Sequence, residues 1–260
     1  MVGGGFIGAE VAATCRGHGI DVTLVEALPV PLGRVLGDEL GAVMAGLHRD
    51  NGVDVRLGVG VAGLDPSPAD PGRVGRVQLA DGSAVDADVV VVGIGVSPAT
   101  GWLDGSGLTV DDGVVCDETT LAAPGVVAAG DVARWPSGRF GGLIRVEHWD
   151  NAITMGAHAA RRILAEVGDP GGEVAAYDPV PWFWSDQYDR KIQLAGRSVG
   201  ADEVRVVDGS TDERRFVALY RKGDRVVAVL AMNRPRPMMA YRALIEKGAS
   251  WGDALALGDA

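Results

Sequence analysis

The spacing of apolar residues predicts alternating helices and strands over the first part of this 260-residue chain. Small apolar residues at 9–13 favour a helix packed closely on a sheet, and the run 20–25 is typical of a short strand. A second helix is predicted for 37–49 and a second strand for 53–57. The apolar run 89–92 has no polar alternation, which predicts a parallel strand buried on both faces.

Later segments continue the alternation and divide the chain into three stretches. A looser segment at 65–72, rich in proline, has turn chemistry, and a strand at 76–79 follows it. The apolar residues 126–129 predict a short strand ending in Gly-Asp, and a helix rich in small residues is predicted from about 147 to about 167. We therefore predict an α/β fold with boundaries near residues 97 and 172.

A glycine motif stands at the start of the chain. Gly3, Gly5 and Gly8 form G-x-G-x-x-G, which predicts a turn between a strand and a helix whose N-terminus holds a pyrophosphate. Only Met1 and Val2 precede the motif, so we expect the chain to begin partway into this strand. The motif alone is weak evidence, because glycine-rich turns are common.

The residues after the motif strengthen this interpretation. Glu26 closes the next predicted strand, eighteen positions beyond Gly8, near the spacing of the acid that binds an adenosine ribose. A carboxylate there accepts from the hydroxyls of NAD and repels the 2′-phosphate of NADP, so we expect a preference for NADH. Arg34 argues against this preference, since an arginine just beyond the acid could reach the 2′-phosphate of NADP. The alternative is a glycine-rich loop beside an ordinary surface glutamate.

Composition and charge narrow the classes of function. The net charge of −11 argues against a nucleic-acid partner. No apolar run is long enough to span a membrane, and no signal-peptide pattern precedes the glycine motif. Cys15 and Cys116 form no C-x-x-C pair, which argues against a redox-active disulfide and suits the reducing cytoplasm. We expect no membrane association.

Two further features are compatible with a flavin. A second glycine turn at 93–98, which contains Gly95, either lets a cofactor approach the backbone or only permits a sharp turn. Asp131, at the end of a predicted strand, can accept a hydrogen bond from a ribityl hydroxyl. The predicted helix start at 147–152 can direct its positive dipole towards the flavin pyrimidine edge. His148 and His158 lack a metal-ligand constellation, so no metal is predicted.

These motifs together resemble a known family. The glycine run 3–10, the turn 93–95, the A-A-G-D segment 128–131 and the P-W-F-W-S-D-Q segment 181–187 occur in the family's order. The chain resembles the FAD-dependent NADH:ferredoxin and rubredoxin reductases that serve Rieske dioxygenases and bacterial cytochromes P450, within the pyridine nucleotide-disulfide oxidoreductase superfamily. The family's first glycine motif, which binds the ADP half of FAD, has no counterpart here. The N-terminal half of the FAD domain is therefore expected to be missing.

The resemblance implies a fold and an activity. It implies a Rossmann-like NAD-binding domain over 1–97 with a truncated first strand, the remainder of an FAD-binding domain over 98–172, and a small C-terminal α+β domain over 173–260. The implied chemistry is hydride transfer from NADH to FAD, followed by electron release to a ferredoxin or rubredoxin-type acceptor. Because the ADP-binding motif has no counterpart, we expect the chain alone to hold FAD weakly or not at all.

The resemblance also implies roles for individual residues. Glu10 would lie beside the nicotinamide as the catalytic acid and pair with a lysine from another part of the family's chain; otherwise it is an acid favoured near a helix N-terminus. The resemblance further implies that the NAD pyrophosphate contacts Gly3, Gly5 and Gly8, that its adenosine ribose contacts Glu26, and that its nicotinamide half contacts Gly95. For the flavin, it implies that the ribityl chain contacts Asp131 and that the isoalloxazine contacts Trp184. The pyrimidine edge of the flavin would contact Glu147, His148 and Trp149.

Two alternatives remain open at this point. One is a non-catalytic NAD-binding remnant or scaffold that completes its sheet with a second polypeptide through exposed sheet edges.

The other concerns the C-terminal basic residues, which either dock an acidic ferredoxin or simply balance nearby acids such as Asp186 and Asp189. Residues 178–260 hold 13 Lys and Arg against 12 Asp and Glu, whereas the preceding part is strongly acidic. The basic residues are Arg190, Lys191, Arg197, Arg234 and Arg236.

Overall fold

The computed structural model describes residues 1–258 and has the mixed α/β architecture that the sequence predicts. The helices are α1 Phe6–Gly17, α2 Gly33–Asp50, α3 Trp149–Glu166, α4 Pro235–Glu246 and α5 Trp251–Gly258. The strands are β1 Thr23–Glu26, β2 Asp54–Leu57, β3 Val61–Pro66, β4 Val74–Leu79, β5 Ala84–Asp86, β6 Val114–Val115, β7 Leu121–Ala123, β8 Val126–Val127, β9 Ala133–Pro136, β10 Leu143–Arg145, β11 Trp182–Gln187, β12 Arg190–Gly196, β13 Glu203–Ser210, β14 Arg215–Lys222 and β15 Arg225–Met232. Single 3₁₀ turns lie at Gly101–Leu103 and Gly130–Val132.

The N-terminal residues complete a small parallel sheet. β1 pairs with β2 in parallel, and Val2 lies between β1 and the 89–93 segment. The Val2 amide donates to the Val91 carbonyl at 2.8 Å, and the Gly3 amide donates to the Val25 carbonyl at 2.8 Å. The chain then turns directly into α1, so the strand–turn–helix arrangement predicted from the glycine motif is present.

The prediction of a fully buried strand at 89–92 is wrong. This run forms an isolated bridge at Val92 instead of a regular strand, and Val89 and Val92 are 71% and 59% exposed. Only Val90 packs against the small core of β1, β4 and their neighbours. The segment pairs with so few residues that no extended ladder forms, and within residues 1–258 nothing covers its outer side chains.

The helix predicted at 37–49 lies within α2. Gly37 has φ 77° and ψ 172°, which breaks the helical path near the start of α2, so the regular helix follows this glycine. Its apolar side packs on the C-terminal sheet through Leu36, Leu40 and Met44. α2 and the C-terminal sheet thus share one hydrophobic core.

The C-terminal unit predicted for 173–260, whose last two residues lie outside the described part, contains one antiparallel sheet. Its strand order is β11-β12-β15-β14-β13. α2 covers one face, and α4 and α5 cover the other, where Met238, Tyr241 and Ala254 are buried. A sheet covered on both faces explains the nearly continuous apolar run in β15. β11 is left at the sheet edge, beside α1 and α3.

The middle stretch packs around Trp135. This side chain is fully buried, and its indole N–H donates to the Tyr177 carbonyl at 2.8 Å. α3 lies against this core through Met155, and the ring of His158 contacts that of Tyr177 with centroids 5.1 Å apart. This core supports the N-terminus of α3 beside β11. The predicted domain boundaries stay predictions.

Candidate active site

A cleft of about 900 Å³ opens where the glycine turn, the start of α3 and the edge strand β11 meet. It joins segments that are far apart in the sequence but were predicted to serve the same chemistry. Its lining residues are Gly5, Phe6, Ile7, Arg34, Val35, Gly93, Gly95, Val96, Asp112, Arg145, Val146, Glu147, His148, Trp149, Asp150, Pro181, Trp182, Phe183, Trp184, Arg197 and Val199. Of the sequence-predicted site residues, Gly3, Gly8, Glu10, Glu26 and Asp131 lie outside this lining.

The three motif glycines have different surroundings. Gly3 has φ 98°, and a β-carbon on it would lie 2.3 Å from the Gly93 carbonyl oxygen. A β-carbon on Gly8 would lie 2.0 Å from the Gly3 carbonyl oxygen. Gly5 instead has no atom within 4 Å of that position and faces the cleft. Gly3 and Gly8 are thus required by the turn, and Gly5 leaves the backbone open to close approach of a ligand.

The N-terminus of α1 is suited to an anion. Gly5 is its N-cap residue and has no side chain to accept from the first-turn amides, and the first turn contains no acidic residue. Those amides and the positive end of the helix dipole therefore lie at the cleft without an acidic side chain in the first turn of the helix. Gly95, with φ 114° and open space around it, lines the same cleft.

Glu26 is tied to the glycine turn. Its Oε2 accepts from the Gly4 amide at 2.7 Å, and its Oε1 accepts from the Leu28 amide at 2.8 Å. These bonds fix the carboxylate beside the turn at the carboxyl end of β1, with lone pairs left on both oxygens. Arg34 lines the neighbouring cleft. This position is compatible with the expectation from the sequence that an arginine just beyond the acid could reach the 2′-phosphate of NADP.

Glu10 is held by a polar chain from β11. The Ser185 hydroxyl donates to Glu10 Oε1 at 2.6 Å, and Gln187 Nε2 donates to Ser185 Oγ at 3.0 Å. Ser185 and Gln187 are buried, at 1% and 0% exposure. The sequence analysis missed both residues. The period of two along β11 is a signal for them, because Ser185 and Gln187 share a strand face with Phe183.

An aromatic contact joins the glycine turn to α3. The ring of Phe183 packs edge-on against Phe6, with centroids 4.5 Å apart, and against His148 at 4.7 Å. Burial, together with the nearby cation of Arg197, lowers the pKa of His148 to about 4. His148 is therefore neutral at physiological pH and acts there as an aromatic wall of the cleft.

Tryptophans form another part of the cleft wall. Trp149 and Trp184 meet edge to face with centroids 5.9 Å apart, and Trp182 lies 5.0 Å from Trp184. Trp149 remains 70% exposed and Trp184 36% exposed. Arg242 lies over the Trp182 ring at 5.8 Å, and Trp182 also packs against the α4 side of the sheet. Trp149 and Trp184 thus present apolar surface to the cleft.

The N-terminus of α3 faces this region without a side-chain cap, because its N-cap His148 makes no capping bond. Glu147, just before it, pairs with Arg145, whose guanidinium also pairs with Asp112 at 3.1 Å. Asp131 lies in the 3₁₀ turn that packs against α3, and its side chain is exposed. The structure therefore brings Glu147, His148 and Trp149 into the cleft and leaves Asp131 near its edge.

The C-terminal basic residues are mostly balanced by acids. Arg190 pairs with Asp189 at 2.7 Å, Lys191 with Asp186 at 3.7 Å, and Arg234 with Asp208 at 3.5 Å. Arg197 differs, because it lines the cleft and makes no ion pair among the described residues. For those three residues the structure favours charge balance over a free basic patch.

Among residues 1–258, no group of three or more His, Cys, Asp or Glu side chains is placed to hold a metal ion. Within the same range, none of the helices combines the length and apolarity needed to cross a membrane.

Comparisons with known proteins agree with the fold. Residues 1–156 match the family model described as pyridine nucleotide-disulphide oxidoreductase, and residues 182–260 match the model described as reductase C-terminal. The chain is similar to the 5,5'-dehydrodivanillate O-demethylase ferredoxin reductase subunit of a Sphingobium species, at 42% identity over 253 residues, which cover 95% of this chain and 58% of that protein.

Other relatives give the same picture. Rhodocoxin reductase from Rhodococcus erythropolis is 40% identical over 247 residues, covering 94% of this chain and 55% of that protein. The crystal structure of the covalent putidaredoxin reductase–putidaredoxin complex superposes with a TM-score of 0.86 at 36% identity, over 95% of this chain and 57% of that chain. The chain spans somewhat more than half the length of the curated relatives it matches.

Proposed function

The chain belongs to the pyridine nucleotide-disulphide oxidoreductase family, and from this premise we propose that it works as an NADH-dependent flavoprotein reductase that passes electrons to a ferredoxin-type iron–sulfur protein. The family match confirms the resemblance drawn from its motifs. The observation that carries the proposal is the shared cleft, in which the open backbone of Gly5 and the ring surfaces of Trp149 and Trp184 face one space. The names of the similar ferredoxin reductase subunit and of rhodocoxin reductase support a ferredoxin-type acceptor.

The nucleotide is proposed to bind along the glycine turn. The pyrophosphate would lie at Gly5 and the first-turn amides of α1, supported by the open space there and by the uncapped helix N-terminus. Gly3 and Gly8 would act by shaping the turn. Glu26 would accept from the adenosine ribose hydroxyls, and Gly95 would lie along the nicotinamide half.

The residues around the aromatic wall fit a flavin. The uncapped α3 N-terminus offers amides and a positive dipole to a polar ring edge, and Trp149 and Trp184 offer apolar contact. We propose that Glu147, His148 and Trp149 flank the pyrimidine edge, that Asp131 holds the ribityl chain, and that Trp184 packs against the ring. When bound, FAD would supply hydride acceptance from NADH and electron release to the acceptor.

Glu10 is proposed to orient the nicotinamide. The Ser185 bond engages one of its carboxylate oxygens and leaves Oε2 for a donor on the bound nucleotide. Because Ser185 is itself held by Gln187, the carboxylate is fixed before substrate arrives. The division into NAD, FAD and C-terminal domains and a cytoplasmic location belong to the same proposal; the location is supported by the free thiols of Cys15 and Cys116.

The test combines binding and turnover. The chain, supplied with the portion of rhodocoxin reductase that it does not match, is titrated with FAD while tryptophan fluorescence is followed, and is then mixed anaerobically with NADH and an oxidised ferredoxin. The proposal predicts saturable quenching, loss of the visible flavin absorbance on NADH addition, and reduced ferredoxin. Trp184→Ala should weaken FAD affinity, whereas Trp102→Ala, at an exposed tryptophan outside the cleft lining, should not. Bound flavin that NADH does not bleach contradicts the proposal.

A second candidate function is a non-catalytic NAD-binding scaffold. The exposed apolar side chains of Val89, Val92 and Ile94 favour it, because such an edge can pair with another polypeptide. It predicts NADH binding without FAD binding in the titration above. It also predicts that Val92→Asp reduces self-association or partner association in analytical ultracentrifugation, whereas Val167→Asp, at another exposed valine, does not.

A further inference from the structure

A second, smaller cavity carries unpaired positive charge. It has a volume of about 240 Å³ and lies between the loop joining β9 to β10 and the ends of β12, β14 and β15. Arg197, Lys222 and Arg225 line it, and no Asp or Glu is among its lining residues. Arg197 is half-buried and Lys222 and Arg225 are exposed, so together they give the cavity a positive potential that attracts an anion.

Within the part of the chain that the structure describes, no carboxylate neutralises these three cations. Within residues 1–258, none of their side chains forms a hydrogen bond or an ion pair. Arg197 is also half-buried, and burial lowers the pKa of its guanidinium. In this chain most other arginines near the C-terminal sheet pair with a carboxylate, as Arg221 does with Glu203 at 2.9 Å. What distinguishes this cavity from the ordinary charged surface is that Arg197, Lys222 and Arg225 line one space.

A fourth cation fixes the cavity wall. Arg139 Nη1 donates to the carbonyls of Ile245 at 2.8 Å and Glu246 at 2.9 Å, at the end of α4. Its amide donates to Asp178 Oδ2 at 2.8 Å. These bonds hold the β9–β10 loop against the C-terminal sheet, so the cavity is formed in advance of any ligand. Arg139 adds positive potential but is itself committed to the wall.

We propose that this cavity binds the phosphoryl dianion of a small molecule, either free phosphate or a phosphate monoester. Two guanidinium forks and an ammonium group match the charge and the oxygen geometry of a phosphoryl group better than those of a single carboxylate. Phe140, Leu143 and Val199 supply an apolar wall that an ester substituent would contact. The small volume and the net charge of −11 disfavour an extended polyanion. The site goes beyond the proposed reductase function, although it shares Arg197 and Val199 with the large cleft.

The probes are inorganic phosphate, phenyl phosphate and benzoate, titrated calorimetrically into the purified chain at constant ionic strength. We expect phosphate or phenyl phosphate to bind with a Kd of about 1 mM or tighter, and benzoate at least about tenfold more weakly, because it carries one charge. Tighter binding of phenyl phosphate than of phosphate identifies an ester ligand, and equal binding identifies free phosphate. Benzoate binding as tightly as phenyl phosphate, or no binding of either phosphate, overturns the proposal.

Variants locate the binding. Arg225→Gln and Lys222→Gln, at two residues that line the smaller cavity and not the large cleft, should each weaken phosphate binding about tenfold, the effect of losing one charge-assisted hydrogen bond. Arg215→Gln removes the same charge from an exposed position outside the cavity and should leave the affinity unchanged. Circular dichroism checks that the variants fold, and exposed Lys222 provides the substitution least disruptive to packing. Equal weakening by Arg215→Gln, or none by the two cavity variants, would place the binding elsewhere and overturn the proposal.

Discussion

The Ser185 hydroxyl donates a 2.6 Å hydrogen bond to Glu10 across 175 residues of chain. Ser185 lies in the edge strand of the C-terminal sheet, and Glu10 lies in the helix that follows the glycine turn. The bond fixes the C-terminal sheet relative to the proposed nucleotide site. Its burial makes it sensitive to the loss of either partner.

Removing the Ser185 hydroxyl should therefore destabilise the protein. Ser185→Ala leaves the Gln187 amide and Glu10 without this partner, and we expect the free energy of unfolding to fall by about 1–3 kcal/mol. Urea denaturation of Ser185→Ala, Glu10→Ala and the double variant measures the coupling between the two residues. Strictly additive effects would show that the bond does not contribute to stability.

Glu26 should govern the choice between NADH and NADPH. Glu26→Ala should weaken NADH binding by about 1–3 kcal/mol, the effect of a lost charge-assisted hydrogen bond, and should relax the discrimination against NADPH. Calorimetric titration with both nucleotides measures this, and Glu213→Ala, at an exposed position, is the matched control. Equal affinity of the unaltered protein for both nucleotides contradicts the assignment.

The same substitution should have a structural effect. Glu26 also accepts from the Gly4 and Leu28 amides, so Glu26→Ala leaves both donors without this acceptor. We expect a lower Tm for Glu26→Ala and a smaller decrease for Glu26→Gln, which keeps one acceptor oxygen. The nucleotide titrations are therefore run at a temperature well below the Tm of both variants, so that a loss of affinity is not caused by unfolding.

Buried His48 should make stability depend on pH. Burial lowers its pKa to about 4, whereas the unfolded chain protonates histidine at about 6.5. Between these values the unfolded state binds more protons, so the free energy of unfolding falls as pH falls from about 6.5 to about 4, by up to roughly 3 kcal/mol from this group. Above pH 6.5 the group has no effect, because it is neutral in both states.

The difference between variants isolates this contribution. Urea denaturation at pH 7 and pH 4.5 should show a smaller loss for His48→Gln than for the unaltered protein. His18→Gln, at an exposed histidine, should behave like the unaltered protein. The comparison matters because His148 also has a pKa of about 4 and titrates in the same direction. Identical pH dependence in His48→Gln would contradict the buried neutral state.

The local sequence pattern was sufficient to predict the glycine turn and the helix that follows it. The spacing of Gly3, Gly5 and Gly8 specifies a turn whose steric needs the structure reproduces. The run 89–92 shows the limit of such patterns, because apolar residues predict burial only where other elements supply the covering surface. Composition alone does not tell whether that surface is present.

Long-range contacts were beyond the sequence analysis. Nothing in the local sequence of Glu10 indicates Ser185 as its partner, and the packing of α2 on the C-terminal sheet depends on tertiary docking. The basic C-terminal residues looked alike in sequence, and only their positions separate Arg190, which pairs with Asp189, from Arg197, which makes no ion pair among residues 1–258. The division into three domains and the individual site roles stay predictions.

The most direct test of the central claim is NADH binding to Gly5→Ala, measured by calorimetry. Gly5 has φ −73°, and a β-carbon there meets no protein atom within 4 Å, so the variant should fold normally while the methyl group occupies the approach to the turn. Gly63→Ala, also free of contacts, is the matched control. NADH should bind the unaltered protein and Gly63→Ala alike, and should bind Gly5→Ala at least about tenfold more weakly, a difference of about 1.4 kcal/mol. Equal NADH affinity for Gly5→Ala and the unaltered protein, or no NADH binding by the unaltered protein, would contradict this claim.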